Sequence, residues 1–284
     1  MARVLVIGGR GLLGREVLNA LRERNHDVVV TSRQPRRGWI RFDAERDHVD
    51  VLPDNVDLII NCAGVLASEV AADDIKSIHS AEAVNSRLPD ELARKSSLCR
   101  ARLVHISTDA VFHRHAGRCF EDDTAFATDV YGSTKRSGEP VAASTVVLRC
   151  SFVGRDPVRR RGVLEWTLAQ TGEIRGYTDQ LWNGLAATQV ASIIAHLAAA
   201  DVFDSARSEG SVHHIFEDPP LTKYELVCLI ARTFEHDVAV RPTESGRPVT
   251  LVLGTKRRVL RDYLKSLPSR ASALDALAKG SREE

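Results

Sequence analysis

A doubly wound, parallel α/β sheet followed by a smaller C-terminal substrate lobe is the fold this sequence predicts. The N-terminus predicts it first, with a strand, a glycine-rich loop and a helix in immediate succession. Strand-like and helix-like segments then alternate through the first half of the chain. That pattern implies parallel strands with helices on both faces. A third observation, Tyr131 and Lys135 four residues apart in a helix-compatible stretch, points to the chemistry such a sheet would carry.

Arg3-Val4-Leu5-Val6-Ile7 is a short β-branched run that reads as a buried strand. Gly8-Gly9-Arg10-Gly11-Leu12-Leu13-Gly14 follows at once, and residues 16–21 show helical spacing. This is the context a dinucleotide fingerprint requires, although the glycines are spaced three and three rather than two and three. Gly8 would permit the tight turn, Gly11 a close approach of backbone to pyrophosphate, and Gly14 close packing of helix on strand. The helix N-terminus at Leu12 and Leu13 offers unpaired N–H groups to the phosphates. Residues 27–31 read as the second strand, 39–43 as a short third and 56–61 as the fourth. Residues 71–98 read as mostly helical with a bend near Pro89, 102–107 as the fifth strand and 145–150 as the sixth. Helices are expected at 192–200 and 224–234, and a frayed tail after Ala278. The division expected is a cofactor domain over 1–150 and a substrate lobe over 151–284, the latter with return strands to the main sheet.

In a helix, Tyr131 and Lys135 share one face. A Lys ammonium beside a phenol favours the phenolate and is expected to pull the tyrosine down from its ordinary value of about 10. A tyrosine tuned this way exchanges a proton with a substrate oxygen near neutral pH. Ser107, Thr108 and Asp109 close the fifth strand at the end where open α/β sheets place their ligands. A hydroxyl there would orient a substrate oxygen. Taken alone, Ser-Thr-Asp is a helix cap or a turn.

Together these residues resemble the extended short-chain dehydrogenase/reductases, which have a Rossmann fold, and most closely the dTDP-4-dehydrorhamnose reductase family. The stretches that carry the resemblance are Gly8 to Gly14, Asn61-Cys62-Ala63-Gly64, Ser107-Thr108-Asp109 with Val111-Phe112, and Tyr131 to Glu139. Leu148 to Gly154 and Gly176 to Gly184 resemble the family's substrate-side segments. The resemblance implies Thr108 as the catalytic hydroxyl, Tyr131 as general acid and Lys135 as its partner, the last two also touching the cofactor. It implies that Ala63 and Gly64 line the cofactor cleft and that Asn85 helps order the active site, where a plain polar helix residue is the alternative. It implies substrate contacts from Asp109, Val111, Phe112, Arg155, Trp182 and Asn183. The chain departs from the family at Ala110, where Tyr is usual, at His113-Arg114-His115, and at Asp179 to Gly184, which lacks the usual proline.

Residues 30–33, Val-Thr-Ser-Arg, end the second strand without the carboxylate that binds the ribose of NAD. Ser32 and Arg33 would instead hold the 2′-phosphate of NADP, so NADP(H) is the preferred cofactor and NAD(H) stays open. A solvated basic loop is the other reading of this segment. If the resemblance holds, Asp43 approaches the adenine. The basic run Arg155 to Arg161 reads either as a solvated surface or as a clamp for the diphosphate of a nucleotide-sugar. His113, His115, His213 and His214 lack a metal-ligand pattern, so no metal is expected.

The 284 residues suffice for one large or two small domains. A net charge of +1 gives no reason to expect nucleic acid or a membrane surface as partner. Five cysteines without framework spacing argue against a secreted disulfide scaffold. The chain enters a strand directly, so no signal peptide is expected, and a reducing cytoplasm is the default. A homodimer stays open. The function expected is NADPH-dependent reduction of a keto group, at carbon 4, on a nucleotide-activated deoxysugar. An NAD-dependent epimerase or dehydratase, or a non-catalytic regulatory subunit that keeps the cofactor fold, are the alternatives.

Overall fold

The computed structural model describes residues 1–156 and 158–280. Strand β1 (Arg3–Ile7) is apolar and buried from Val4 to Ile7 because both of its faces are covered there. Val4 and Val6 enter a core shared with Val17, Leu18 and Leu21 of α1 (Leu12–Glu23). Leu5 and Ile7 enter a second core on the opposite face, with Leu88 and Leu92.

The chain then passes through β2 (Asp27–Ser32), β3 (Ile40–Arg41), β4 (Leu58–Asn61), α2 (Ile75–Ala81), α3 (Leu88–Cys99), β5 (Arg102–Thr108), β6 (Arg118–Cys119), α4 (Val130–Ser137) and β7 (Thr145–Cys150). The second half contains β8 (Phe152–Val153), α5 (Gly162–Leu168), β9 (Gly172–Tyr177), β10 (Leu181–Trp182), β11 (Leu185–Ala186), α6 (Ala187–His196), α7 (Ala200–Glu209) and β12 (Val212–His214). It ends with β13 (Leu221–Thr222), α8 (Lys223–Thr233), β14 (Val238–Thr243), β15 (Val252–Leu253), α9 (Val259–Ser266) and α10 (Arg270–Gly280).

Seven strands form one parallel sheet in the order β12-β7-β5-β4-β1-β2-β3. The order reverses at β1, where Leu5 pairs with Val29 on one side and Ile59 on the other. The crevice above that reversal is where such sheets bind ligands. Residues after 150 serve both parts of the molecule. Strand β12 extends the sheet beside β7, with Val212 opposite Val147, and α6 sends Val190, Ile193 and Ile194 into the core that holds Val4. Strands β8 and β10 and helices α5, α8 and α10 form a separate cluster around Val153, Leu164, Trp182, Leu226 and Leu274.

Some boundaries differ from the sequence reading. Strand β3 has two residues where five were expected, because Gly38 at φ +78° turns the chain just before it. The helix expected at 192–200 is two helices, α6 and α7, whose shared apolar run hides the break between them. Lys279 and Gly280 belong to α10 rather than to a frayed tail, and residues 281–284 lie outside the described residues.

The bend expected near Pro89 lies just before it, as a π-helical stretch at Glu82–Arg87 that joins α2 to α3. Pro89 has no N–H to give the Asn85 carbonyl. The chain beyond α4 packs against that carbonyl, so closely that a Cβ on Gly138 would lie 1.8 Å from it. Proline and glycine together therefore bring α4, and with it Tyr131 and Lys135, onto the long helix.

Candidate active site

The glycine loop is built as its spacing requires. Gly8 adopts φ +80°, and the N–H of Gly11 donates to its carbonyl at 3.0 Å. A Cβ on Gly14 would lie 2.3 Å from the same carbonyl, so only glycine lets α1 start this close to β1. Leu12 packs beside Gly154. The Leu13 side chain is in the hydrophobic core. What it offers a cofactor is its backbone N–H in the first turn of the helix.

Beside this loop opens a cleft of about 680 Å³ whose wall brings together Gly8, Gly11, Ser32, Arg33, Asp43, Ala63 and Gly64. The Ser32 hydroxyl is buried there with no hydrogen-bond partner among the described residues. An orphaned donor beside an exposed Arg33, with no carboxylate ending β2, fits the 2′-phosphate of NADP. Arg10, a spacer in the sequence reading, lines the same cleft and donates to Gln34 Oε1 at 2.6 Å. Its place between two glycines of the loop was the signal for a further phosphate-side cation. Asn85 is fully buried and clamps the opposite wall: its Oδ1 accepts from Val65 N at 2.9 Å and its Nδ2 donates to Val65 O at 3.1 Å.

Asp129 caps α4 by accepting from Gly132 N at 2.9 Å. A Cβ on Gly132 would lie 2.5 Å from the Ala110 carbonyl, so glycine here lets α4 close on the turn after Thr108. The two hydroxyls of the Ser-Thr pair separate by function. Ser107 Oγ donates to Glu139 Oε1 at 2.6 Å, behind the sheet end. Thr108 Oγ1 accepts from Ala110 N at 3.2 Å, donates to Asp109 Oδ1 at 3.1 Å and acts on Tyr131 beside it.

One expectation needs correction. Tyr131 is pushed up to about 12, chiefly by burial, with Asp109, Cys150 and Asp129 adding to the rise. Lys135 Nζ donates to the Ile106 carbonyl at 2.7 Å, and burial brings Lys135 itself down to about 8. Tyr131 therefore keeps its proton at neutral pH, as a proton donor must. Lys135 acts electrostatically on both Cys62 in the cleft wall and Cys150, which places it between the cleft and the Tyr131 side.

A family model described as the RmlD substrate binding domain matches residues 2–259. The chain belongs to this family. It is 31% identical over 224 residues to the probable low-salt glycan biosynthesis reductase Agl14 of Haloferax volcanii, covering 69% of this chain and 71% of that protein. It is 29% identical over 288 residues to the probable dTDP-4,6-dihydroxy-2-methyloxan-3-one 4-ketoreductase of Streptomyces antibioticus, covering 90% and 88%. Relatives extend to methionine adenosyltransferase 2 subunit beta of Mus musculus, 26% identical over 270 residues, covering 90% and 78%. The fold is that of the Bacillus anthracis dTDP-4-dehydrorhamnose reductase solved with NADP, at TM-score 0.75 and 20% identity over 98% of each chain.

On the substrate side of this RmlD-type chain, several expected contacts turn out to be supports. Val111 and Phe112 are buried in a cluster with Cys119, Leu251 and Leu253. Trp182 is 5% exposed, and its Nε1 donates to Ser151 Oγ at 2.7 Å. Asn183 spends both ends of its amide on the Leu253 backbone, at 2.8 and 3.0 Å. Arg155 is held by Glu165 at 2.8 Å, away from the cleft. Of the run's described residues Val158 and Arg159 line the cleft, and Arg161 pairs with Glu69 of the cleft wall. Asp109 stays at the reactive end. Lys223, to which the sequence reading gave no role, and Asp109 each act electrostatically on the other. Among the described residues no group of three His, Cys, Asp or Glu side chains is placed to hold a metal ion. No described helix is long and apolar enough to cross a membrane.

Proposed function

We propose that this RmlD-family chain is an NADPH-dependent reductase of a keto group, at carbon 4, on a nucleotide-activated deoxysugar. The observation that carries the reading is the cleft with an orphaned Ser32 hydroxyl and Arg33, supported by Thr108 beside Tyr131 and by Lys135, which acts electrostatically on Cys62 of the cleft wall. Ser32, Arg33 and Arg10 would hold the 2′-phosphate, the first turn of α1 the pyrophosphate, Asp43 the adenine side, and Lys135 the nicotinamide ribose. Bound there, the reduced nicotinamide supplies the hydride. Thr108 and Tyr131 orient the carbonyl oxygen, and Tyr131 gives its proton to the oxygen as negative charge develops on it. The nucleotide-sugar class is taken from the curated relatives' names. The five free cysteines suit the reducing cytoplasm such a reaction would occupy.

The test is NADPH consumption in the presence of dTDP-4-dehydrorhamnose and related 4-keto nucleotide-sugars. Turnover supports the reading. Tight NADPH binding without turnover on any of them would instead support the regulatory-subunit alternative, which the similarity to methionine adenosyltransferase 2 subunit beta keeps in view. Arg33→Ala is expected to weaken NADPH by about 1.5–3 kcal/mol, the range for a hydrogen bond to a charged group, and to leave NADH nearly unchanged. Equal losses for both cofactors, measured by fluorescence titration, would remove Arg33 from the phosphate site.

A further inference from the structure

His105 lies in the middle of β5, fully buried, and the reaction outlined above gives it no role. The sheet register sets it beside Asn61, the last residue of β4, which is also fully buried. The Asn61 side chain bridges two groups. Its Oδ1 accepts from the Ala63 N–H at 3.1 Å, and its Nδ2 lies 3.1 Å from His105 Nδ1. A backbone N–H can only donate, so the Ala63 contact fixes which way round the amide stands. The Nδ2 end then donates, and His105 Nδ1 accepts. That leaves the ring proton on Nε2, which is buried with no partner among the described residues. A buried donor without an acceptor costs stability. An apolar side chain avoids that cost, and Leu103, on the same face of β5, is one. What the imidazole adds at position 105 is an acceptor for Asn61.

Ala63 is where this chain of hydrogen bonds meets the cofactor cleft. The wall there is held at two points. Asn61 holds Ala63, and Asn85 holds Val65 through both ends of its amide, so Gly64 is presented between two fixed neighbours. The glycine loop leaves the wall no slack, since a Cβ on Gly8 would lie 2.9 Å from Ala63 N. We propose that His105 is a positioning residue for the cofactor: its neutral ring, accepting from Asn61, keeps Ala63 and Gly64 in the place against which the dinucleotide packs. Burial, with the charge of Lys135 adding to it, holds the ring well below the ordinary histidine range and so keeps it neutral. Without the acceptor at Nδ1, the Asn61 amide is free to turn over and set its NH₂ against the Ala63 N–H. Only the molecules with the wall in place then bind, and the apparent affinity falls by that fraction. The inference rests on the cofactor reading of the cleft.

The experiment measures NADPH affinity by fluorescence titration, which needs no sugar. His105→Leu removes the acceptor and should weaken NADPH by about 10-fold or more. His105→Asn offers its Oδ1 close to where Nδ1 stands and should restore most of the affinity. A merely structural role predicts a different pattern, with lower thermal stability and NADPH affinity intact in the folded variant. The unaltered protein gives a second readout that needs no variant to fold. Nitrogen NMR of isotope-labelled histidine should show His105 neutral at neutral pH, with its proton on Nε2. An imidazolium, or a proton on Nδ1, overturns the inference. So does unchanged NADPH affinity in a folded His105→Leu, or a loss in His105→Asn as large as that in His105→Leu. If the unaltered protein binds no NADPH at all, the cofactor reading falls and takes this inference with it.

Discussion

Tyr131→Phe is expected to lower turnover by about 10²–10⁴-fold, the usual contribution of a positioned general acid, while NADPH binding stays nearly unchanged. The substitution keeps the ring at the start of α4 and removes only the hydroxyl on the Thr108 side. Because burial holds Tyr131 protonated at neutral pH, the loss should be visible there in single-turnover reduction of the sugar. Near-normal turnover would transfer the donor role to Asp109. Burial pushes that carboxyl up, and it already shares a hydrogen bond with Thr108.

Glu139→Ala is expected to cost about 3–5 kcal/mol of stability, because it leaves a buried charge without its partner. Glu139 and Arg149 have side chains only 1% and 2% exposed and meet through two bonds, Nε to Oε1 at 2.9 Å and Nη2 to Oε2 at 2.7 Å. The same carboxylate accepts from Ser107, so it ties the segment after α4 to β5 and β7 directly beneath the catalytic hydroxyls. Replacing both members, Glu139→Leu with Arg149→Met, should cost less than Glu139→Ala alone, since no unpaired ion is then left inside. Urea unfolding decides it. A loss below about 1 kcal/mol for Glu139→Ala would mean that the contacts of Arg149 with His214 and the Glu121 carbonyl suffice.

The cofactor half of this molecule was legible because its signals are local. The run Arg3–Ile7 and the glycines that follow fix strand, turn and helix by neighbours alone, and one cleft brings together Gly8 and Gly11 of that loop with Ser32 and Arg33 at the end of β2 and Ala63 and Gly64 after β4. The i, i+4 spacing placed Tyr131 and Lys135 on one helix, but not what each meets. The lysine is taken up by the Ile106 carbonyl, a partner 29 positions away in sequence. The substrate side depends on such distant pairings. Trp182 and Asn183 look like exposed recognition residues in a loop-like sequence, yet β10 pairs with β13 and Asn183 holds Leu253, so they form the floor rather than the surface. Arg155 belongs to Glu165 for the same reason.

The most direct measurement follows the hydride itself. With NADPH deuterated at the transferring position of the nicotinamide and a 4-keto nucleotide-sugar as acceptor, the account predicts a reduced sugar carrying deuterium on carbon 4, formed by the unaltered protein and nearly absent with Tyr131→Phe. A product lacking deuterium, or recovery of epimerised or dehydrated sugar with the label still on the nicotinamide, would contradict it.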